Sequence, residues 1–333
     1  MLVLNYRNVH EALPHALRTL VADGSSNDSR NGPVLEYPTP VATTYSHPQE
    51  RVGFWPLRDA NPFFHFFESL WMLAGRNDVA FPQKFNNKFG QYSDDGVTFH
   101  GAYGYRWRNH FDHDQLKTII GMLQVNPLSR RVVLQMWDAH TDLNRNSKDL
   151  PCNTQCYFWI RDDKLNMTVS NRSNDIIYGC YGANAVHFSF LQEYLAQMIG
   201  VGIGRYIQFS NNWHCYTEFP VFAKVLPITD FDQYWENIEN PYLNGEASAM
   251  DLISDPLCFD LDLEIFLAEP IFCDVRNNFI MEVAKPMYRA YESFKGNSSE
   301  RIDIALEQAG LITAPDWKKA CVEWLRRRKP NVL

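Results

Sequence analysis

The chain has 333 residues, 45% of them apolar, 14% aromatic and 21% charged. That is ample core for one large domain or two ordinary ones, and it excludes a disordered, collagen-like or disulfide-scaffold protein. Lys plus Arg is 31 against 39 Asp plus Glu, a net charge of −8, which makes the chain a poor coat for a nucleic acid but leaves room for a few focused arginines to grip one small anion.

No stretch reaches the roughly 18 uninterrupted apolar residues of a membrane span. The opening MLVLNYRNVHEALP lacks the basic region and small-residue cleavage site of a secretory signal. A cytoplasmic protein without a membrane partner is expected. The seven cysteines (Cys152, Cys156, Cys180, Cys215, Cys258, Cys273 and Cys321) are odd in number and scattered, so they read as reduced thiols, mostly buried small apolar residues.

In chain order, residues 22–45 carry GSSNDSRNGP and are rich in Ser, Asn, Gly and Pro, which reads as loop. Arg30 on that loop is either a solvated charge or an anion clamp. Pro62 to Gly75 predicts a helix, with Asn61 as cap, Pro62 in the first turn and Gly75 as stop. Its apolar residues nearly encircle it, so it is a buried helix, and Glu68 within it is either turned to water or held for a reason. Strands are predicted at Val132–Asp138, Cys156–Ile160 and Leu165–Ser170, the last two joined by a turn at Asp162 and Asp163. Residues 185–199 predict an amphipathic helix with Phe188, Leu191, Leu195, Met198 and Ile199 on one face, and Tyr206–Ser210 a further strand. Beyond Pro220 the pattern turns helical with acidic loops, ending in WKKACVEWLRRRK, whose LRRRK reads as a solvated face. A single α+β domain over 1–333 is expected, with a core at about 25–225 and a helical C-terminal region at about 226–333.

Several motifs are weak. Gly200, Gly202 and Gly204 follow a helix and precede a strand, the reverse of a dinucleotide fingerprint. His110 and His113 lack a matching acidic or cysteine cluster, Cys152 and Cys156 lack a second pair, and no metal is expected. The informative stretch is Leu150 to Tyr216. Pro151-Cys152 opens a hairpin; twenty residues on come Arg172, Ser173 and Asp175, then Gly179, Asn184, His214 and Tyr216. An Arg-Ser pair at a strand end suits an anion, and a cysteine near arginines has a depressed thiolate pKa. Spacing alone does not prove that they meet.

The run LPCNTQCYFWIRDDKLNMTVSNRSNDIIYGCYGAN, followed by HCY, resembles the thymidylate synthase and deoxycytidylate hydroxymethylase superfamily. The segments ESLW (Glu68–Trp71), GAYGYRW (Gly101–Trp107) and SRR (Ser129–Arg131) fall in the family's chain order, and the likeness covers about residues 25–225. The resemblance implies that Cys152 adds to C6 of a pyrimidine deoxynucleoside monophosphate, making C5 nucleophilic toward a carbon supplied by 5,10-methylenetetrahydrofolate. Arg30, Arg172, Ser173 and the pair Arg130 and Arg131 would hold the phosphate, the pair reaching across from the second subunit of a homodimer. His214 and Tyr216 would take the sugar 3′-hydroxyl. Glu68 would order water, Tyr103 would help proton removal at C5, Asp175 would contact the folate and Asn184 would read the base.

Departures from the synthases decide the expected reaction. Asn153 replaces the histidine after the nucleophile, Gly179 to Asn184 spans five steps instead of four, and the tryptophan-bearing segment reads KFNNKF at Lys84–Phe89. The five-step spacing and RSND at Arg172–Asp175 resemble phage-type hydroxymethylases, so water rather than hydride should complete the reaction. Ordinary thymidylate synthase is the nearest alternative, and a non-catalytic nucleotide- or RNA-binding relative is the alternative of another class. The hydroxymethylase pattern has Asp at the base-reading position; Asn184 matches uracil in one rotamer and cytosine in the other. The choice leans to dUMP over dCMP.

Overall fold

The computed structural model describes residues 1–225 and 239–329. Among the described residues ten strands form two sheets. The larger contains β1 (Leu2–Tyr6), β4 (Val41–Tyr45), β9 (Gly202–Ser210), β7 (Lys164–Asn171), β6 (Asn153–Arg161) and β5 (Val133–Gln135), neighbours in that order. β1 pairs with β4, and β7 with β9, in parallel; the other pairs are antiparallel. The smaller sheet runs β2 (Ser25–Ser29), β3 (Gly32–Glu36), β10 (Trp213–Tyr216) and β8 (Asn174–Asp175).

The helices before the C-terminal region are α1 (Val9–Asp23), α2 (Pro62–Leu73), α3 (Ala80–Phe85), α4 (Tyr103–Arg108), α5 (Gln115–Val125), α6 (Ala139–Asp142), α7 (Asn184–Ile199) and α8 (Pro220–Val225). The mixed sheets packed by helices are the expected α+β class. Asn61 caps α2 by accepting the Phe64 N–H, and every residue of α2 is buried. β7 alternates, with Leu165, Met167, Val169 and Asn171 inward. The β6–β7 hairpin turns on Asp162 and Asp163, both at positive φ, the two-residue geometry that suits strand twist.

Three expectations are corrected in this part of the chain, and a fourth in the C-terminal region. Residues 22–45 are not loop, because they contain β2, β3 and β4. β2 is exposed throughout and carries no apolar alternation; its backbone pairing with β3, closed at Gly32 with φ +113, makes it a strand. The strand expected over Val132–Asp138 shrinks to β5, because the Met136 and Trp137 N–H groups both turn to the Thr154 carbonyl and end the ladder. In α7 burial is not confined to one face: Asn184 through Ala196 are all buried. Gln192 donates to the Leu165 carbonyl and Glu193 pairs with Arg51, so these two buried polar side chains are held by partners.

The C-terminal region supplies helices Phe259–Ala268, Lys285–Lys295, Arg301–Gly310 and Pro315–Arg326, while residues 226–238, where it was expected to begin, lie outside the described residues. Its last helix packs on α2, with Trp317 against Phe66 and Trp324 against Phe63. The LRRRK segment is not simply solvated: Arg327 and Arg328 clasp Asp59, and Arg328 lies 3.5 Å over the Trp324 ring. Among the described residues no helix is long and apolar enough to cross a membrane.

Candidate active site

Cys152 sits just ahead of β6, where the chain leaves a loop and enters the sheet. Its N–H and that of Asn153 both donate to the Tyr103 hydroxyl oxygen, at 3.1 and 3.3 Å. That occupies the phenol oxygen's two lone pairs and leaves its hydrogen free to donate. Tyr103 projects from the start of α4, which Arg106 anchors: its buried guanidinium donates to Asp142 and to the Met136 carbonyl. Burial holds the Tyr103 phenol well above its usual pKa, so it is protonated at neutral pH.

Arg172 lies between β7 and β8, across from the loop that carries Leu150, Pro151 and Cys152. Its Nε donates to the Pro151 carbonyl at 2.8 Å, its terminal nitrogen to the Leu150 carbonyl at 3.1 Å, and the same nitrogen lies 3.7 Å from Cys152 Sγ. Trp137 underlies the guanidinium at 5.6 Å. The Cys152 thiol pKa is raised, not depressed as nearby arginines alone would have it: burial outweighs the pull of Arg172, Asp149 pushes it up further, and Arg30 pulls it down. Arg30 reaches over from the β2–β3 turn and donates to the Ser147 carbonyl at 3.4 Å. Ser173 follows Arg172 half-buried, its hydroxyl without a partner among the described residues.

The short pairing of β8 with β10 sets Asp175 beside His214. Asp175 accepts the Tyr178 N–H at 2.6 Å and the Tyr216 N–H at 3.4 Å, and burial pushes its carboxyl up to about 6. Burial lowers His214 to about 4, so its ring is neutral. Asn212 Nδ2 donates to the Glu36 carboxylate, which turns Asn212 Oδ1 to His214 Nδ1 at 2.6 Å. His214 therefore donates from Nδ1 and keeps Nε2 as an acceptor. The Tyr216 hydroxyl accepts from Asn31, next to Arg30, at 3.4 Å.

Asn184 is reached through a π turn. The Asn184 N–H donates to the Gly179 carbonyl five residues back, and Tyr181 and Gly182 leave helical angles between them. The five-step spacing is thus one residue absorbed as a π turn. Asn184, 9% exposed, accepts from Asn153 Nδ2 at 3.2 Å, which ties it to the residue after Cys152. His187, three residues on and so on the same helix face, places Nε2 3.1 Å from Glu68 Oε2. Glu68 is 8% exposed, so it is not turned to water. Glu68 Oε2, His187 Nε2 and Asn153 Oδ1 are buried without hydrogen-bond partners among the described residues, the state expected of groups that meet a ligand or ordered water.

The structure thus gathers Cys152, Tyr103, Arg172 and Arg30 at one end, sets Glu68 against His187 and Asn184 against Asn153, and joins Asp175, His214 and Tyr216 in the small sheet. It does not bring Arg130 and Arg131 to them. Both stand exposed before β5, their guanidiniums without partners among the described residues. His187 and Trp137 escaped the sequence reading; helical spacing from Asn184 was the available signal for the first, and the second had none. Among the described residues no cluster of three His, Cys, Asp or Glu is placed to hold a metal, and His110 instead meets Asp138 at 2.9 Å.

Residues 15–236 match the sequence model of the family described as thymidylate synthase. The chain is 51% identical to the deoxyuridylate hydroxymethyltransferase of Pseudomonas phage M6, over 99% of this chain and 95% of that protein. It is 37% identical to the protein of that name from Bacillus phage SP01, over 61% of this chain and 55% of the relative. A putative thymidylate synthase of Methanothermobacter marburgensis is 34% identical over 40% of this chain and 58% of the relative. Motif order, the geometry around Cys152 and these matches agree: the chain belongs to the thymidylate synthase family.

Proposed function

We propose that the chain transfers a one-carbon unit to C5 of dUMP as a hydroxymethyl group: dUMP, methylenetetrahydrofolate and water become 5-hydroxymethyl-dUMP and tetrahydrofolate. The observation that carries this choice is the 51% identity, over nearly the full length of both chains, to a phage protein named deoxyuridylate hydroxymethyltransferase. Asn153, the five-step spacing and the polar Asn86–Lys88 segment, of which Asn87 and Lys88 are exposed, support it against the methylating alternative.

Cys152 is the nucleophile. Its thiolate bonds C6, C5 gains carbanion character, and the later departure of the thiolate restores the ring. Arg172 serves twice: its contacts with the Leu150 and Pro151 carbonyls hold the nucleophile loop, and its charge favours the thiolate. Ser173 and Arg30 join it on the phosphate. His214 Nε2 accepts from the 3′-hydroxyl while the Tyr216 hydroxyl lies beside it. Asn184 reads the base edge.

The folate co-substrate supplies the carbon at the methylene level. Asp175 fits its pterin: each carboxylate oxygen keeps a lone pair after accepting one backbone N–H, and the raised pKa lets it carry or release a proton near neutrality. Tyr103, kept protonated, orients rather than abstracts. Glu68 with His187 holds water and moves its proton. Arg130 and Arg131 complete the phosphate site of the partner subunit in a homodimer.

Incubation with dUMP and methylenetetrahydrofolate tests the reaction. A product heavier than dUMP by CH₂O, with no dihydrofolate absorbance, is expected. Methylated nucleotide appearing in step with dihydrofolate rejects it, and hydroxymethylation of dCMP instead of dUMP rejects the base.

A further inference from the structure

Asn184 is one member of a file of buried amides whose direction is set away from the nucleotide. At the far end Gln208 Nε2 lies 2.7 Å from the Cys180 carbonyl oxygen. A carbonyl only accepts, so the amide atom facing it must be the NH₂ group. That turns Gln208 Oε1 toward Asn174, whose facing atom must donate: Nδ2, at 3.2 Å. Asn174 Oδ1 then faces Asn184 Nδ2 at 3.0 Å, and Asn184 Oδ1 faces Asn153 Nδ2 at 3.2 Å.

No amide in the file can turn over alone without setting like atoms against each other. All four are buried, Gln208 and Asn153 completely, where a mismatched pair loses its hydrogen bond and gains no water. The π turn leaves space for the file: a Cβ on Gly179 would come within 3.0 Å of Asn174 Oδ1 and 3.2 Å of Asn184 Nδ2.

We propose that Gln208 and Asn174 are positioning residues that make Asn184 select a 4-oxo over a 4-amino pyrimidine, although neither belongs to the nucleotide contacts assigned above. Locked in one orientation, Asn184 offers its remaining N–H and remaining lone pair in a single order. Uracil needs an acceptor for N3–H and a donor for O4; cytosine needs the two reversed. A site with fixed polar order rejects the reversed partner because buried groups are left unpaired. This deepens, and rests on, the dUMP reading.

The test is the dissociation constant of dUMP and of dCMP, measured by calorimetry on the full chain, in wild type, Gln208→Met and Asn174→Ala, with thermal melts alongside. Wild type is expected to favour dUMP by at least about 100-fold. In each variant the ratio should fall by about 10-fold or more, because Asn184 is released to turn. A role confined to stability would weaken both nucleotides in parallel, and an unchanged ratio overturns the proposal while leaving the dUMP reading intact. A wild type that favours dCMP overturns both. Should Gln208→Met fail to fold, Gly179→Ala, which crowds the same file from outside it, reads the same ratio.

Discussion

At the scale of single residues, Arg172 carries more than a charge. Two of its nitrogens hold the Leu150 and Pro151 carbonyls and one faces Cys152 Sγ, so its loss loosens the Leu150–Cys152 loop and, on the proposed reading, removes a phosphate partner as well. Arg172→Ala is expected to weaken dUMP binding by about 1.5–3 kcal/mol, the worth of a charge-assisted partner. Calorimetric titration checks it; unchanged affinity would remove Arg172 from the phosphate site. Cys152, Arg172, Ser173, Asp175, His214 and Tyr216 could be singled out as candidates because their types and order form one specific motif, and the structure sets Arg172 beside Cys152 and Asp175 beside His214. Gln208 was not legible, since one buried glutamine in a strand carries no mark of what lies beside it. Glu68 stood between two readings until burial and His187 decided.

At the scale of elements, the π turn shows what a spacing does and does not contain. Counting from Gly179 to Asn184 reveals one extra residue; only the structure shows that an i→i+5 bond absorbs it and keeps Asn184 against Asn153. β2 was missed for a plain reason: an all-polar, all-exposed strand has no hydrophobic period to read, and only its partner β3 makes it a strand. The last helix docks through Trp317 on Phe66 and through Asp316, which accepts from Tyr242 and from the Trp317 N–H.

Burial pushes the Asp316 carboxyl up to about 7. Its folded value lies above the unfolded 3.8, so the folded chain binds this proton more tightly. The stability it contributes is complete below about 4 and is lost as pH rises through about 7. Asp316→Asn removes the titration, so relative to wild type the variant should gain about 2–4 kcal/mol at pH 8 compared with pH 4. Urea melts at the two pH values check this; parallel profiles would mean that Asp316 does not titrate in this range.

At the scale of the molecule, the family, the α+β architecture and the expectation of a helical C-terminal region were all legible. What that region packs on was not, because amphipathic helices carry a face but not an address. Among the described residues the Arg130 and Arg131 guanidiniums have no partner, and the proposed homodimer would supply one. If each arginine pair completes the other subunit's phosphate site, Cys152→Ala and Arg131→Ala should each be nearly inactive alone. Mixed and refolded together they should regain activity, because the hybrid carries one intact site. Mixtures no more active than their parts would place both residues in one subunit's site, or Arg131 in none.

On the proposed reading, the step that separates this chain from a methylating relative is the capture of the nucleotide's methylene by water, and heavy-oxygen water reports on it directly. With dUMP and methylenetetrahydrofolate in H₂¹⁸O, the product should be 5-hydroxymethyl-dUMP carrying one heavy oxygen beyond the unlabelled compound, with tetrahydrofolate released. A product without the label, or a methylated nucleotide accompanied by dihydrofolate, would contradict it.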